Sequence, residues 1–179
     1  IILIRHGMTE GNLKRRYIGT TDEDLINTDC LKGDYPKCER VVASPLKRCI
    51  QTAEYIYPNV DIEICDKLKE CDFGDFENKS YEDLKDNPDY QKWIDSNGEL
   101  PFPNGETHED FKNRCKDGFF ESLTERDTAF VIHGGSIMAI MQKLFGGNFY
   151  DYQVKNGCGY EFEMRNGEIV DDYSPIGCG

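Results

Sequence analysis

The sequence predicts an α/β fold: a three-layer α/β/α sandwich with a mostly parallel central sheet and a helical lid inserted over the sheet's carboxyl edge. Residues 1–4, 40–43 and 129–132 are short unbroken apolar runs, the pattern of strands buried on both faces. Two of these runs deliver a histidine and the third a helix-start signal at their carboxyl ends, where ligands bind in open α/β sheets. Residues 66–106 are polar, acidic and aromatic, and read as an insertion into that frame.

The elements follow in order. Residues 1–4 form the first strand and end in Arg5-His6-Gly7. Residues 8–27 are loop-like, with Gly11, Gly19 and the basic run Lys14-Arg15-Arg16. Residues 27–39 hold Gly33 and Pro36 without helical period, which allows at most a short broken turn. Strand 40–43 runs into Ser44-Pro45, an N-cap followed by proline at the first helical position, and the helix extends to Tyr57 before Pro58. Leu46, Cys49, Ile50, Ala53 and Tyr57 mark its buried face and leave Arg48 off that stripe. Residues 60–64 are a third strand.

Within the insertion, short helices start at Ser80 and Pro88, and residues 96–105 are turn-rich. A longer helix opens at Thr107, with Asp110 three residues on as in a capping box, and Phe111, Cys115, Phe119 and Leu123 on one face. Residues 129–132 then deliver His133 before Gly134-Gly135. An apolar helix spans 137–145 and stops at Gly146-Gly147. A hairpin over 160–170 turns at Asn166-Gly167.

At 179 residues the chain suits one domain over 1–179. Its formal net charge of −13 argues against nucleic acid or an anionic membrane as partner. No apolar run has the length of a membrane span. Eight cysteines without zinc-site spacing read as free thiols in a reducing cytoplasm, with Cys49 and Cys115 as small buried hydrophobes.

Two of the three histidines, His6 and His133, end buried strands ahead of glycine, and Arg5 and Arg48 reach the same edge. Two guanidinium forks suit the non-bridging oxygens of a phosphoryl group. A neutral imidazole there can attack phosphorus, and the arginines help keep it neutral. The second imidazole, protonated, would add charge-assisted hydrogen bonds. The leaving oxygen needs a proton donor, for which Glu70, after the third strand, is the candidate.

In these blocks the chain resembles the histidine phosphatase superfamily, the phosphoglycerate-mutase-like group. The matching residues are Arg5-His6-Gly7 with Thr9 and Asn12; Arg16, Tyr17, Gly19 and Asp22; Ser44, Arg48 and Gln51-Thr52-Ala53; Glu70 before Phe73-Gly74; and His133-Gly134-Gly135. The resemblance implies a phosphohistidine on His6. Arg5, Arg48 and His133 would grip the phosphoryl group, Glu70 would act as general acid and then base, and Thr9, Asn12, Arg16, Gly19 and Gly134 would make further phosphate or substrate contacts. It implies no metal and no other cofactor.

Met8, Gly11 and Thr20 depart from the family pattern and suggest an open pocket mouth. Cys71 and Asp72 stand where the mutases carry basic residues. The reading is therefore a phosphomonoesterase acting on a small phosphorylated metabolite, similar to the broad-specificity and α-ribazole-5'-phosphate phosphatases, in a cytoplasmic monomer or homodimer. A mutase-type phosphotransferase and a non-catalytic phospholigand-binding module are the alternatives. The acidic lid further suggests that the alcohol part of the ester is neutral or cationic.

Overall fold

A computed structural model describes residues 1–177. Six strands form the main sheet in the order β3-β2-β4-β1-β5-β8. They are β1 (Ile2–Arg5), β2 (Arg40–Ala43), β3 (Ile62–Ile64), β4 (Thr128–Ile132), β5 (Gly159–Glu161) and β8 (Ser174–Ile176). The first four are parallel, whereas β5 runs antiparallel to β1, and β8 to β5.

The alternation of side chains across the pleat sorts the sheet residues into two cores. Leu3, Val42, Phe130 and Ile132 pack on one side with helices α5 (His108–Glu121) and α6 (Gly134–Phe145). Ile2, Ile4, Val41, Ala43, Ala129 and Val131 pack on the other with Cys49 and Ala53 of α2 (Lys47–Ile56). Three layers result. Each fully buried aliphatic side chain in them contributes about 2 kcal/mol of transfer free energy.

The central strands match the apolar runs. Strand β3 is shorter than residues 60–64 and largely exposed, as an edge position allows. Thr107 caps α5 by accepting from the Asp110 amide, as its sequence indicates, although the helix ends at Glu121, before Leu123. Asn87 caps α4 (Pro88–Asp95), and Ser80 caps the single turn of α3 (Tyr81–Leu84). Residues 27–39 contain only a three-residue 3₁₀ turn, Asp29–Leu31.

Other expectations need correction. A one-turn helix, α1 (Glu10–Leu13), interrupts the loop after β1, because Thr9 and Asn12 form a reciprocal cap. Helix α2 begins at Lys47, with Leu46 rather than Ser44 at its N-cap, since the Ser44 hydroxyl is drawn to His133 instead. Helix α6 includes both glycines and begins at Gly134. The hairpin shrinks to β6 (Met164–Arg165) against β7 (Glu168–Ile169), turning on Asn166 and Gly167, both at positive φ, while Tyr160 joins the main sheet. Six of the described cysteines are free, with Cys49 and Cys115 fully buried, but Cys158 is disulfide-bonded. Cys178 lies outside the described residues. No helix among them is long and apolar enough to cross a membrane.

The segment 66–106 packs as an aromatic cluster, with Phe73, Phe76, Tyr90, Trp93 and Phe102 in edge-to-face and stacked contacts with one another and with Tyr17. It forms one wall of a cavity at the carboxyl ends of β1 and β4.

Candidate active site

That cavity, of about 400 Å³, is bordered by Arg5, His6, Asn12, Arg16, Glu70 and Gly134. A larger hollow, of about 780 Å³, lies at the amino ends of the strands. Six carboxylates, Glu125, Asp127, Glu161, Glu163, Asp171 and Asp172, outnumber Arg126, Arg165 and the amino terminus around it, so its net charge disfavours an anionic ligand.

His6 ends β1 almost fully buried. Its Nδ1 lies 2.7 Å from the Gly7 carbonyl, which can only accept, so the proton sits on Nδ1 and Nε2 keeps its lone pair. Burial first, then the Arg48 and Arg5 charges, hold its pKa well below the ordinary imidazole value. The ring is therefore neutral at pH 7.

His133, fully buried at the end of β4, stands 5.2 Å from His6 between ring centroids and, unlike His6, is not itself on the cavity lining. Its Nδ1 accepts from Arg48 Nε at 3.4 Å, and Nε2 lies 2.8 Å from Ser44 Oγ. Burial and the neighbouring Arg48, His6 and Arg5 hold this imidazole well below its ordinary pKa too, so the unliganded protein carries it neutral and the protonated form expected to meet the transition state has to arise with the substrate.

Two neutral buried histidines carry a pH signature. Unfolded histidine takes up a proton near pH 6.5, whereas these folded ones do not, so stability falls as pH drops below 6.5 by about 1.4 kcal/mol per pH unit for each. Glu70, raised in the folded state, acts in the opposite direction between about pH 4.5 and its folded pKa. Urea unfolding at pH 7, 6 and 5 should show a shallower slope for His133→Asn than for the parent. Equal slopes would contradict the neutral assignment.

Arg5 gives Nη1 to the Val154 carbonyl at 2.7 Å and leaves its Nε–H buried without an acceptor among the described residues. An orphan donor of this kind suits an incoming anion. Arg48 departs from the helix-stripe reading. It is fully buried, and its fork donates to the carbonyls of Thr21 (2.7 Å), Gly19 (2.9 Å) and Ile18 (3.4 Å). It therefore stands behind His133 as a fixed charge and does not line the open cavity.

The Glu70 carboxylate accepts from the Cys71 amide at 3.0 Å and from the Gly135 amide, in the first turn of α6, at 3.1 Å. Burial outweighs these bonds and raises its pKa, as a proton donor requires. A Cβ at residue 135 would lie 2.3 Å from Glu70 Oε1, so only glycine lets this carboxylate reach the helix.

Asn12 and Arg16 also border the cavity, Arg16 from its mouth with one arm on Asn78. Two expected contacts are placed elsewhere. Thr9 is buried and spends its hydroxyl capping α1. Gly19 donates its amide to Glu77 and packs against the Cys71 carbonyl, which a Cβ would approach to 1.8 Å. Gly19→Ala should therefore cost about 3 kcal/mol or more in denaturant unfolding, through displacement of the loop that holds Arg48. A loss below 1 kcal/mol (roughly the median for a point mutant) would show that the loop yields.

Sequence reasoning missed Asn156 and the structural parts of Ser44 and Thr52. Asn156 Nδ2 reaches the carbonyls of His6 and Gly7 and Asn12 Oδ1, all within 3.1 Å. Thr52 accepts from the Gly7 amide at 2.8 Å. The pair Thr52 and Ser44 stood inside a quoted motif, whereas nothing marked Asn156.

Residues 1–171 match the family model described as "Histidine phosphatase superfamily (branch 1)". The chain is 32% identical to the uncharacterized phosphatase PhoE of Bacillus subtilis, over 96% of this chain and 92% of that one. It is 25% identical to the adenosylcobalamin/α-ribazole phosphatase of Salmonella typhimurium, over 92% and 90%. Its fold superimposes on a putative α-ribazole-5'-P phosphatase of Escherichia coli with a TM-score of 0.82 at 22% identity, covering 94% of this chain and 92% of that one. The family match and the phosphatase relatives support a hydrolase, and the chain belongs to the histidine phosphatase superfamily.

Proposed function

We propose that the protein is a phosphomonoesterase that works through a phosphohistidine on His6. The observation that carries this reading is the neutral His6, its Nε2 lone pair unprotonated beside the unpaired Nε–H of Arg5. In the first step Nε2 attacks phosphorus, the P–O bond to the alcohol breaks, and the Glu70 proton passes to the leaving oxygen. In the second, Glu70 takes a proton from water, whose oxygen forms the new P–O bond as N–P breaks. An arriving phosphate dianion favours protonation of His133, which then adds a charge to the Arg48 and Arg5 set.

The wall opposite the phosphoryl site favours an uncharged, flat alcohol portion. Tyr17, Phe73, Trp93, Phe102, Phe149 and Tyr150 supply it, and among the described residues Glu70 is the only carboxylate on the lining. Neutrality of the alcohol thus rests on an apolar wall, not on the acidic lid surface. α-Ribazole-5'-phosphate, acted on by relatives of that name, is one such ester. A mutase needs cations for a second phosphate, and beyond Arg5 the lining offers, among the described residues, only Arg16 and the half-buried His108.

Turnover of p-nitrophenyl phosphate, α-ribazole-5'-phosphate, 3-phosphoglycerate and 2,3-bisphosphoglycerate tests this. The flat esters should have the highest kcat/KM. Fastest turnover of the bisphosphate favours the mutase, and no turnover of any favours a binding module.

A further inference from the structure

Glu70 lies in no strand or helix, yet its carboxylate has to meet a leaving oxygen to within a few tenths of an ångström. The segment after the turn Asp66–Leu68 therefore needs an external hold. Arg114, one turn and a half into α5, supplies one. Its Nε and Nη2 grip Glu106 at 2.9 and 2.7 Å, its Nη1 reaches the carbonyls of Lys67 (2.8 Å) and Lys69 (3.0 Å), and Nη2 reaches the carbonyl of Glu70 itself (3.3 Å). All five guanidinium protons are engaged.

Glu106 completes the clamp on the far side of Glu70. Its amide donates to the Asp72 carbonyl at 2.9 Å, and its carboxylate accepts from the Asp72 amide at 3.4 Å. The pair is mostly buried, with side chains 27% and 17% exposed, so solvent screens it little. One ion pair thus fixes the backbone at 67, 69, 70 and 72 without touching the Glu70 carboxylate or lining the aromatic cavity.

We propose that Arg114, seated by Glu106, is a positioning residue for the proton transfer by Glu70, an inference that rests on the reading of Glu70 as general acid. A group that only positions the acid matters in proportion to how much the leaving group needs a proton. p-Nitrophenolate departs readily without one, whereas benzyl alkoxide does not, and both esters present a flat ring to the same wall.

The test compares kcat/KM for p-nitrophenyl phosphate and benzyl phosphate in the parent, Arg114→Lys, Glu106→Gln and Glu70→Gln. kcat/KM reports transfer to His6 and is blind to the later hydrolysis. Lysine keeps the charge but cannot make the five bonds. Arg114→Lys should lose about 30-fold on benzyl phosphate and less than about threefold on p-nitrophenyl phosphate, as a displacement of the acid by a fraction of an ångström implies. Glu106→Gln, which keeps the volume of the buried pair, should show the same selectivity more weakly and serves if Arg114→Lys folds poorly. In a Glu70→Gln background, Arg114→Lys should have no further effect on benzyl phosphate.

Equal losses on both esters, or additive losses in the double variant, overturn the positioning role while Glu70→Gln stays selective. A Glu70→Gln enzyme that loses both esters equally overturns the general-acid reading and this inference with it.

Discussion

His6→Ala is expected to lower kcat/KM for p-nitrophenyl phosphate by at least about 10⁴-fold, because it removes the atom that forms the bond to phosphorus and nothing in the cavity replaces it. The fold should survive. His6 Nδ1 bonds only to the neighbouring Gly7 carbonyl, while the backbone at 6 and 7 is held by Ile132, Thr52 and Asn156. The companion measurement is direct: brief exposure to a ³²P-labelled ester should leave label on the parent protein that survives alkali and is lost in acid, as an N–P bond requires. His6→Ala should take up none. Label that persists on the variant, or a rate within tenfold of the parent, would place the nucleophile elsewhere.

The parts of this site that could be read from sequence are those written as runs and motifs. Residues 1–4 and 129–132 are apolar because β1 and β4 lie adjacent at the centre of the sheet, and that adjacency brings His6 and His133 together. What escaped reading depends on contacts between distant segments. The helix stripe left Arg48 off the buried face because it registers only apolar residues, and only the first-turn position and the motif brought that side chain to the sheet edge. It is buried because the 18–21 loop folds over it and offers three carbonyls, an arrangement that no local period encodes. Asn156 is a single polar residue in an irregular segment, and its three acceptors lie some 150 residues earlier. The charge state of His133 likewise depends on burial and on Arg48, neither of which the tripeptide His133-Gly134-Gly135 contains.

The second large effect is expected at Glu70. Its raised pKa and the lowered pKa of His6 set opposite limbs of the pH profile for an ester with a poor leaving group. Activity falls in acid as His6 gains a proton at its depressed pKa, and falls in alkali as Glu70 loses one at its elevated pKa. The profile for benzyl phosphate should therefore be bell-shaped. Glu70→Gln keeps the size of the side chain and can accept from one of the Cys71 and Gly135 amides with its single carbonyl oxygen, but it loses the other bond and has no acidic proton to transfer. It should lower kcat/KM for benzyl phosphate by about 10³-fold. It should also erase the part of the alkaline limb that belongs to the enzyme. The ester's own second ionisation, near pH 6 (about the value for phosphate monoesters), bends both profiles alike and cancels in the ratio of parent to variant. That ratio is the decisive quantity: it should fall as pH rises through the Glu70 pKa, because the parent is then losing the same proton that the variant never had. A ratio that rises with pH would mean that Glu70 acts through its charge, and one independent of pH that it acts through its size or hydrogen bonds; in either case the leaving oxygen takes its proton from another group.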